Sequence, residues 1–305
     1  MQRFKKILFV NEVSSTATTT PVRAAQLARN NGAQLVLCHA SKELPRTLTQ
    51  LEGVLEQVHE RQLLDKFENI DLADINTETK LLAGTPFIEI IKEVQRGGYD
   101  LVIKSAEGSS GAFSNLFGET DMRLMRKCPC PVWIIKPAKV GEYSGIVAAV
   151  DPDPEQPENA KLNESILKLA TSLARQENCA LHIVHTWYLQ GEESLRSERT
   201  GMKKEEVDEI VADIEKKHRQ WLEDLLELHD LDGIDIKVHL IKGDAGNVIP
   251  ELVVKQRVEI VVMGTVARTG IAGFIVGNTA ESILRNVDCS VLTVKPEGFV
   301  SPIKA

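Results

Sequence analysis

The sequence predicts an α/β protein of two tandem doubly wound domains, each a five-stranded parallel sheet of order 3-2-1-4-5 flanked by helices, packed as a pseudo-dimer. Three observations predict it. The chain has 305 residues, about twice the usual domain. Apolar runs rich in Val, Ile and Leu recur in two sets of five between amphipathic helical stretches, as buried parallel strands do. The two sets also match residue for residue at one separation: Gly84 with Gly243, Asp100-Leu101 with Glu259-Ile260, Cys130 with Cys289, and Lys136-Pro137 with Lys295-Pro296.

The first five strands are expected over Lys6–Val10, Leu35–His39, Thr79–Leu82, Leu101–Lys104 and Val132–Lys136. The second five fall over Ile146–Val150, Leu181–His185, Ile236–Ile241, Ile260–Met263 and Val291–Lys295. Strand–helix alternation with connections of this length calls for right-handed crossovers and helices on both faces. His39 matches His185 and Val10 matches Val150 at shorter separations, so the second copy carries extra residues near Pro152–Asn159 and around its second helix. The domains are expected over residues 1–139 and 145–299, joined where Lys139 to Ser144 breaks the periodicity. A long helix is expected from Lys203 to His229, with Val207, Ile210, Val211, Ile214, Trp221, Leu222, Leu225 and Leu228 on a core-facing stripe.

Composition narrows the function classes. A content of 43% hydrophobic and 26% charged residues excludes disordered, collagen-like and disulfide-scaffold chains. A net charge of −8 without a basic stripe argues against nucleic acid as a partner. The apolar run Ile7–Val10 is too short for a signal core or membrane span, so a cytoplasmic protein with no membrane partner is expected. Five cysteines without Cys-x-x-Cys spacing suggest neither a disulfide framework nor zinc. Cys128-Pro129-Cys130 reads as a redox pair or as packing, and its spacing favours packing.

In open doubly wound sheets a ligand crevice forms at the carboxyl ends of the strands. After the fourth strand of the second half, the loop from Met263 to Glu281 holds Gly264, Gly270, Gly273 and Gly277 before a helix begins. Glycine lets backbone approach phosphate, and the N–H groups of a helix start favour an anion. Asn278 or Thr279 can cap that helix and also donate to phosphate, while Arg268 supplies neutralising charge. An Asn-Thr pair that only caps a helix explains the same residues. Neither Gly-x-x-x-x-Gly-Lys-Ser/Thr nor a first-strand Gly-x-Gly-x-x-Gly is present.

The loop resembles the universal stress protein motif: Gly, two residues, Gly, nine residues, Gly, then Ser, Thr or Asn. Gly264 takes its first position, Gly277 its third and Asn278 the polar one, whereas Ala267 stands where the second glycine belongs. Gly264 to Ile271 together with Gly277 to Glu281 is similar to the tandem, E-type members of that family. The resemblance implies ATP, or AMP or ADP, in this crevice, and a stress-response protein that binds it without being an enzyme is the leading expectation. By the resemblance, Asp151 would hold the ribose hydroxyls and Thr186 would lie beside adenine. Met263 and Gly264 would line ribose and α-phosphate, with Gly277, Asn278 and Thr279 around the outer phosphates. Asp151, Asp153 and Glu155 are candidates for Mg²⁺, or simply for loop solubility and turns.

The first half departs from the motif, with Lys104 and Glu107 read at the first two glycine positions, Glu119 after the last, and Asn11 in place of the ribose acid. Carboxylates there repel a triphosphate, so this half is expected to bind none. Phe113, Leu116 and Phe117 make its loop apolar, which suits an amphipathic metabolite as an alternative ligand. His39 and His185 recur in both copies and read as scaffold hydrogen bonders rather than catalytic bases; His182 and His185 lie on opposite strand faces. Slow ATP hydrolysis is the competing activity. Partners beyond the nucleotide are unidentified protein surfaces, with a homodimer among them.

Overall fold

The structure, a computed structural model, describes residues 4–12, 18–44, 46–107, 117–136, 143–265 and 277–304. All ten expected strands form. In the first repeat they are β1 (Lys6–Asn11), β2 (Gln34–Ser41), β3 (Thr77–Ala83), β4 (Leu101–Ser105) and β5 (Val132–Ile135). The intervening helices are α1 (Thr19–Asn31), α2 (Glu52–Asp65), α3 (Pro86–Gly97) and α4 (Glu119–Lys127). The second repeat has β6 (Gly145–Ala149), β7 (Ala180–Trp187), β8 (Ile236–Lys242), β9 (Ile260–Gly264) and β10 (Ser290–Val294). Its helices are α5 (Glu158–Glu177), α6 (Glu192–Leu195), α7 (Lys204–Glu227), α8 (Ala245–Gln256) and α9 (Asn278–Asn286).

By contact the chain divides into two compact units: residues 1–141 with 265–277 and 284–305, and residues 142–264 with 278–283. In the first unit the parallel order is β3-β2-β1-β4-β5, and β10 adds to β5 antiparallel with Val291 opposite Ile134. In the second unit the parallel order is β9-β6-β7-β8. Ile7, Leu8, Leu35, Val36, Val102 and Ile103 are fully buried in the first sheet, and Ile146, Val147, Leu181, Ile260 and Val261 in the second. Each such side chain contributes about 1.5 to 3 kcal/mol relative to exposure, which explains why these runs lack alternation.

Residues that match between repeats do the same physical work. Asp100 accepts the backbone N–H groups of Lys5 (2.7 Å) and Lys6 (3.2 Å), pinning the start of β1. Glu259 accepts those of Ser144 (3.0 Å) and Gly145 (3.2 Å), pinning the start of β6. Gly84 and Gly243 turn the third strand of each repeat into its helix at φ of 141° and 147°, where an L side chain is strained. Their N–H groups donate to Ser41 O (2.9 Å) and Trp187 O (2.8 Å).

Lys136 and Lys295 also act alike. Lys136 Nζ donates to Val287 O (3.0 Å), just past the end of α9, and lies 3.1 Å from Asp288 Oδ1. Lys295 Nζ donates to Met125 O (2.6 Å) in the last turn of α4 and to Thr265 Oγ1. Each amino group thus meets the negative end of a helix dipole, although burial lowers Lys295 to about 7.

Two expectations change. The α7 stripe is only partly covered: Val207, Leu222 and Leu225 are buried, but Leu228 is 81% exposed because the helix ends before it, at Glu227. Phe117 is buried with Lys136 Nζ 4.7 Å above its ring, so it serves packing; Phe113 and Leu116 lie outside the described residues. The cysteines are free and buried, with Cys128 and Cys130 Sγ atoms 3.6 Å apart.

Candidate functional site

The carboxyl ends of β6, β7 and β9 and the start of α9 bring most of the implied binding residues to one edge of the second unit. Asp151 follows β6, and its backbone is braced by α5: Asn163 Oδ1 accepts from Asp151 N (2.9 Å) while Asn163 Nδ2 donates to Asp151 O (2.9 Å). The Asp151 side chain is 38% exposed and its Oδ1 lies 4.0 Å from His185 Nδ1. Thr186, half-buried, follows His185 on β7 and sits opposite Ile241. Met263, buried, is opposite Ala149 on the neighbouring strand. Gly264 completes β9, where an added Cβ would come within 2.7 Å of Leu162 Cδ2 on α5, so a larger residue there requires the Leu162 side chain to shift.

Gly277 N donates to Thr265 O (3.3 Å), which ties the start of α9 to the end of β9. Asn278 and Thr279 follow as exposed residues of the first helical turn. Arg268 and Ala267 lie outside the described residues. Asp153 is engaged in a turn: Oδ1 accepts from Glu155 N (2.9 Å) and Oδ2 from Gln156 Nε2 (2.7 Å). No group of three or more His, Cys, Asp or Glu is arranged for a metal ion among the described residues. No described helix is long and apolar enough to cross a membrane.

His185 has both nitrogens occupied. Nδ1 meets Val150 O at 3.3 Å and Nε2 meets His218 Nδ1 at 2.8 Å. His218 lies on α7 beside Trp221, with ring centroids 4.7 Å apart, and stacks on Trp187 at 6.0 Å. Burial first, then the neighbouring His218, pushes His185 down to about 4, so the imidazole is neutral at ordinary pH. His182 points the other way and meets His239 Nε2 at 3.0 Å. Neither His218 nor Asn163 carries a sequence signal beyond its place in a helical pattern.

The model of the universal stress protein family matches residues 3–136 and, again, residues 142–295. The chain belongs to that family. It is 35% identical over 221 residues to universal stress protein E of Escherichia coli strain K12, covering 72% of this chain and 68% of that protein. With universal stress protein E of Photorhabdus laumondii the identity is 28% over 319 residues, covering 100% of this chain and 99% of the relative. The crystal structure of a putative universal stress protein from Pseudomonas aeruginosa UCBPP-PA14 superposes with a TM-score of 0.72 at 25% identity, covering 97% of this chain and 95% of that one.

Strand register between the two universal stress protein repeats corrects the residue matching. Ile7 is opposite Leu101 and Ile146 opposite Ile260, so Ile7 corresponds to Ile146. Counting along the strands, Asn11 corresponds to Val150 and Glu12 to Asp151; Lys104 corresponds to Met263 and Ser105 to Gly264. Asn11 therefore does not replace the ribose acid: the first repeat keeps an acid there, Glu12. Matching Val10 to Val150 by residue type slips the strand by one position, which reverses every side chain's face.

What differs is the use of that acid. In the first repeat Lys104, 2% exposed, places Nζ 2.8 Å from Glu12 Oε2, 2.9 Å from Asp121 Oδ1 and 3.8 Å from Glu107 Oε1. Burial opposes the ammonium, but Asp121, Glu12 and Glu107 outweigh it and hold its pKa above the usual value. Burial, reinforced by Asp121, raises Glu107 despite Lys104. The same carboxylates occupy the start of α4: Asp121 Oδ2 accepts from Glu107 N (2.7 Å) and Gly118 N (3.2 Å), and Glu107 Oε2 from Thr120 N (3.0 Å). Glu119, by contrast, is exposed and pairs with Arg123.

Proposed function

We propose that the second repeat binds ATP, or its products ADP and AMP, and that the first repeat does not. The observation that carries this reading is the contrast at one helix start. In the first repeat two carboxylates take the N–H groups that a phosphate would take. In the second repeat, at the positions of Lys104 and Asp121, stand Met263 and Ala280, so this internal ion cluster is lost while Asp151 remains. Asp151 fits ribose hydroxyls, Thr186 the base, Met263 and Gly264 the inner phosphate, and Gly277, Asn278 and Thr279 the outer ones, with Arg268 adding charge.

The role is binding rather than turnover. His185, the nearest imidazole to Asp151, has both nitrogens engaged within the protein and is no free general base. Mg²⁺ would arrive with the nucleotide rather than through a preformed protein cage.

Thermal unfolding with ATP tests the reading. At about 100 times Kd, ATP adds about 2.7 kcal/mol of stability, and Gly277→Trp removes that gain. Calorimetry should give one nucleotide per chain. The absence of any shift at millimolar ATP defeats the assignment, and ATP hydrolysis that disappears in Asp151→Asn replaces it with an enzymatic one.

A further inference from the structure

Buried polar atoms normally find partners, and an orphaned one costs about 1 to 3 kcal/mol. Four such atoms belong to three residues near the carboxyl ends of β1 and β2: Asn11 Oδ1, Asn11 Nδ2, His39 Nδ1 and Thr19 Oγ1. Asn11 is 6% exposed and His39 3%. The two are opposite each other in register, so their side chains leave the same face of the sheet. That face is the one under α1 and α2: the His39 ring lies 4.2 Å from His59 of α2, and Phe9, two residues before Asn11, meets Phe67 at 4.9 Å. Thr19 opens α1, and its neighbour Thr20 is hydrogen-bonded to Ser105 at the end of β4 (2.9 Å), which fixes this helix start at the same edge.

The second repeat shows the same place closed upon itself. Val150 stands at the register position of Asn11, its carbonyl meets His185 Nδ1, and His218 takes the other ring nitrogen. The first repeat instead buries an amide whose donor and acceptor both lack partners among the described residues.

We propose that the first unit holds a ligand site at Asn11, His39 and Thr19 for a small uncharged molecule bearing an amide-like or nucleobase-like edge. An Asn side chain offers a donor beside an acceptor, which pairs with such an edge through two hydrogen bonds. A neutral imidazole and a hydroxyl add two adaptable partners. The site is separate from the nucleotide reading of the second repeat and does not rest on it.

Saturation-transfer NMR on the full chain, with adenine, cytosine and nicotinamide as probes, tests the proposal. At least one probe binds at millimolar concentration, Asn11→Val weakens it about tenfold or more, and Gly277→Trp leaves it unchanged. Asn11→Val imports the residue of the second repeat and removes orphaned atoms, so its urea midpoint stays level or rises. Asn11→Asp, which keeps the size but replaces the donor with charge, weakens the same probe. Failure of all three probes, equal binding by Asn11→Val, or loss only with Gly277→Trp overturns the proposal. A high-resolution crystal structure grown with the probes and showing only ordered water between Asn11 and His39 overturns it as well.

Discussion

Replacing Lys104 by Met, the residue the second repeat carries, isolates the energetics of the first crevice. The ammonium is almost completely buried and makes close contacts with Glu12 and Asp121, the latter wholly inaccessible. At an effective dielectric of about 20, each contact near 3 Å is worth about 5 to 6 kcal/mol of gross attraction, largely offset by desolvation of the charges. Removing one member of a buried group leaves the acids uncompensated, at a net cost of about 3 to 5 kcal/mol. The cost depends on pH. Without the cation the folded acids hold their protons to higher pH than the unfolded ones, so the variant loses stability as pH rises through the carboxyl range. Urea unfolding of Lys104→Met should show a larger deficit at pH 8 than at pH 5, and adding Asp121→Ala should recover at least half of it. A deficit below about 1 kcal/mol, or one independent of pH, refutes the account of a buried ion cluster.

Gly118→Ala should cost about 1 to 3 kcal/mol in the same assay, because its Cβ would come within 2.0 Å of Glu107 Oε2 and 2.3 Å of Glu107 Cβ; Glu107→Ala should relieve part of this. Burial, with His59, His239 and His218 adding to it respectively, depresses His39, His182 and His185 to about 4 each. Against an unfolded value of about 6.5, the unfolded chain binds more protons between those pH values, so stability is lost as pH falls from about 6.5 toward 4. Urea midpoints at pH 7 and pH 5 measure this loss, and His185→Gln should reduce the slope. All five thiols are buried, and burial drives Cys38 far up, so maleimide should label the native protein slowly and the urea-unfolded protein five times per chain.

The ten strands are legible in the sequence because a parallel sheet buried on both faces leaves continuous runs such as Leu35 to Cys38 and Val261 to Met263. The duplication is equally plain, since the carboxylates Asp100 and Glu259 and the turns at Gly84 and Gly243 are reused at corresponding positions. Three things were not legible. A one-residue slip in matching Val10 to Val150 exchanged Asn11 for Glu12, because Asn11 follows Val10 as Asp151 follows Val150 and only hydrogen-bond register distinguishes the two alignments. Lys104 and Asp121 are 17 residues apart and signal nothing as a pair until β4 and α4 are packed together. The pairing of His185 with His218 is hidden for the same reason, as the α7 periodicity records only its apolar face.

The antiparallel contact between β5 and β10 bears on any attempt to cut this gene in half. A polypeptide stopping at residue 139 would keep all five of its own strands yet present a naked β5 border of unpaired amides and carbonyls, bereft of the Lys295 amino group at Met125. Such a fragment is primed to stick to its twin along β5, so solo expression of residues 1–139 should yield dimers or precipitate instead of a well-behaved monomer.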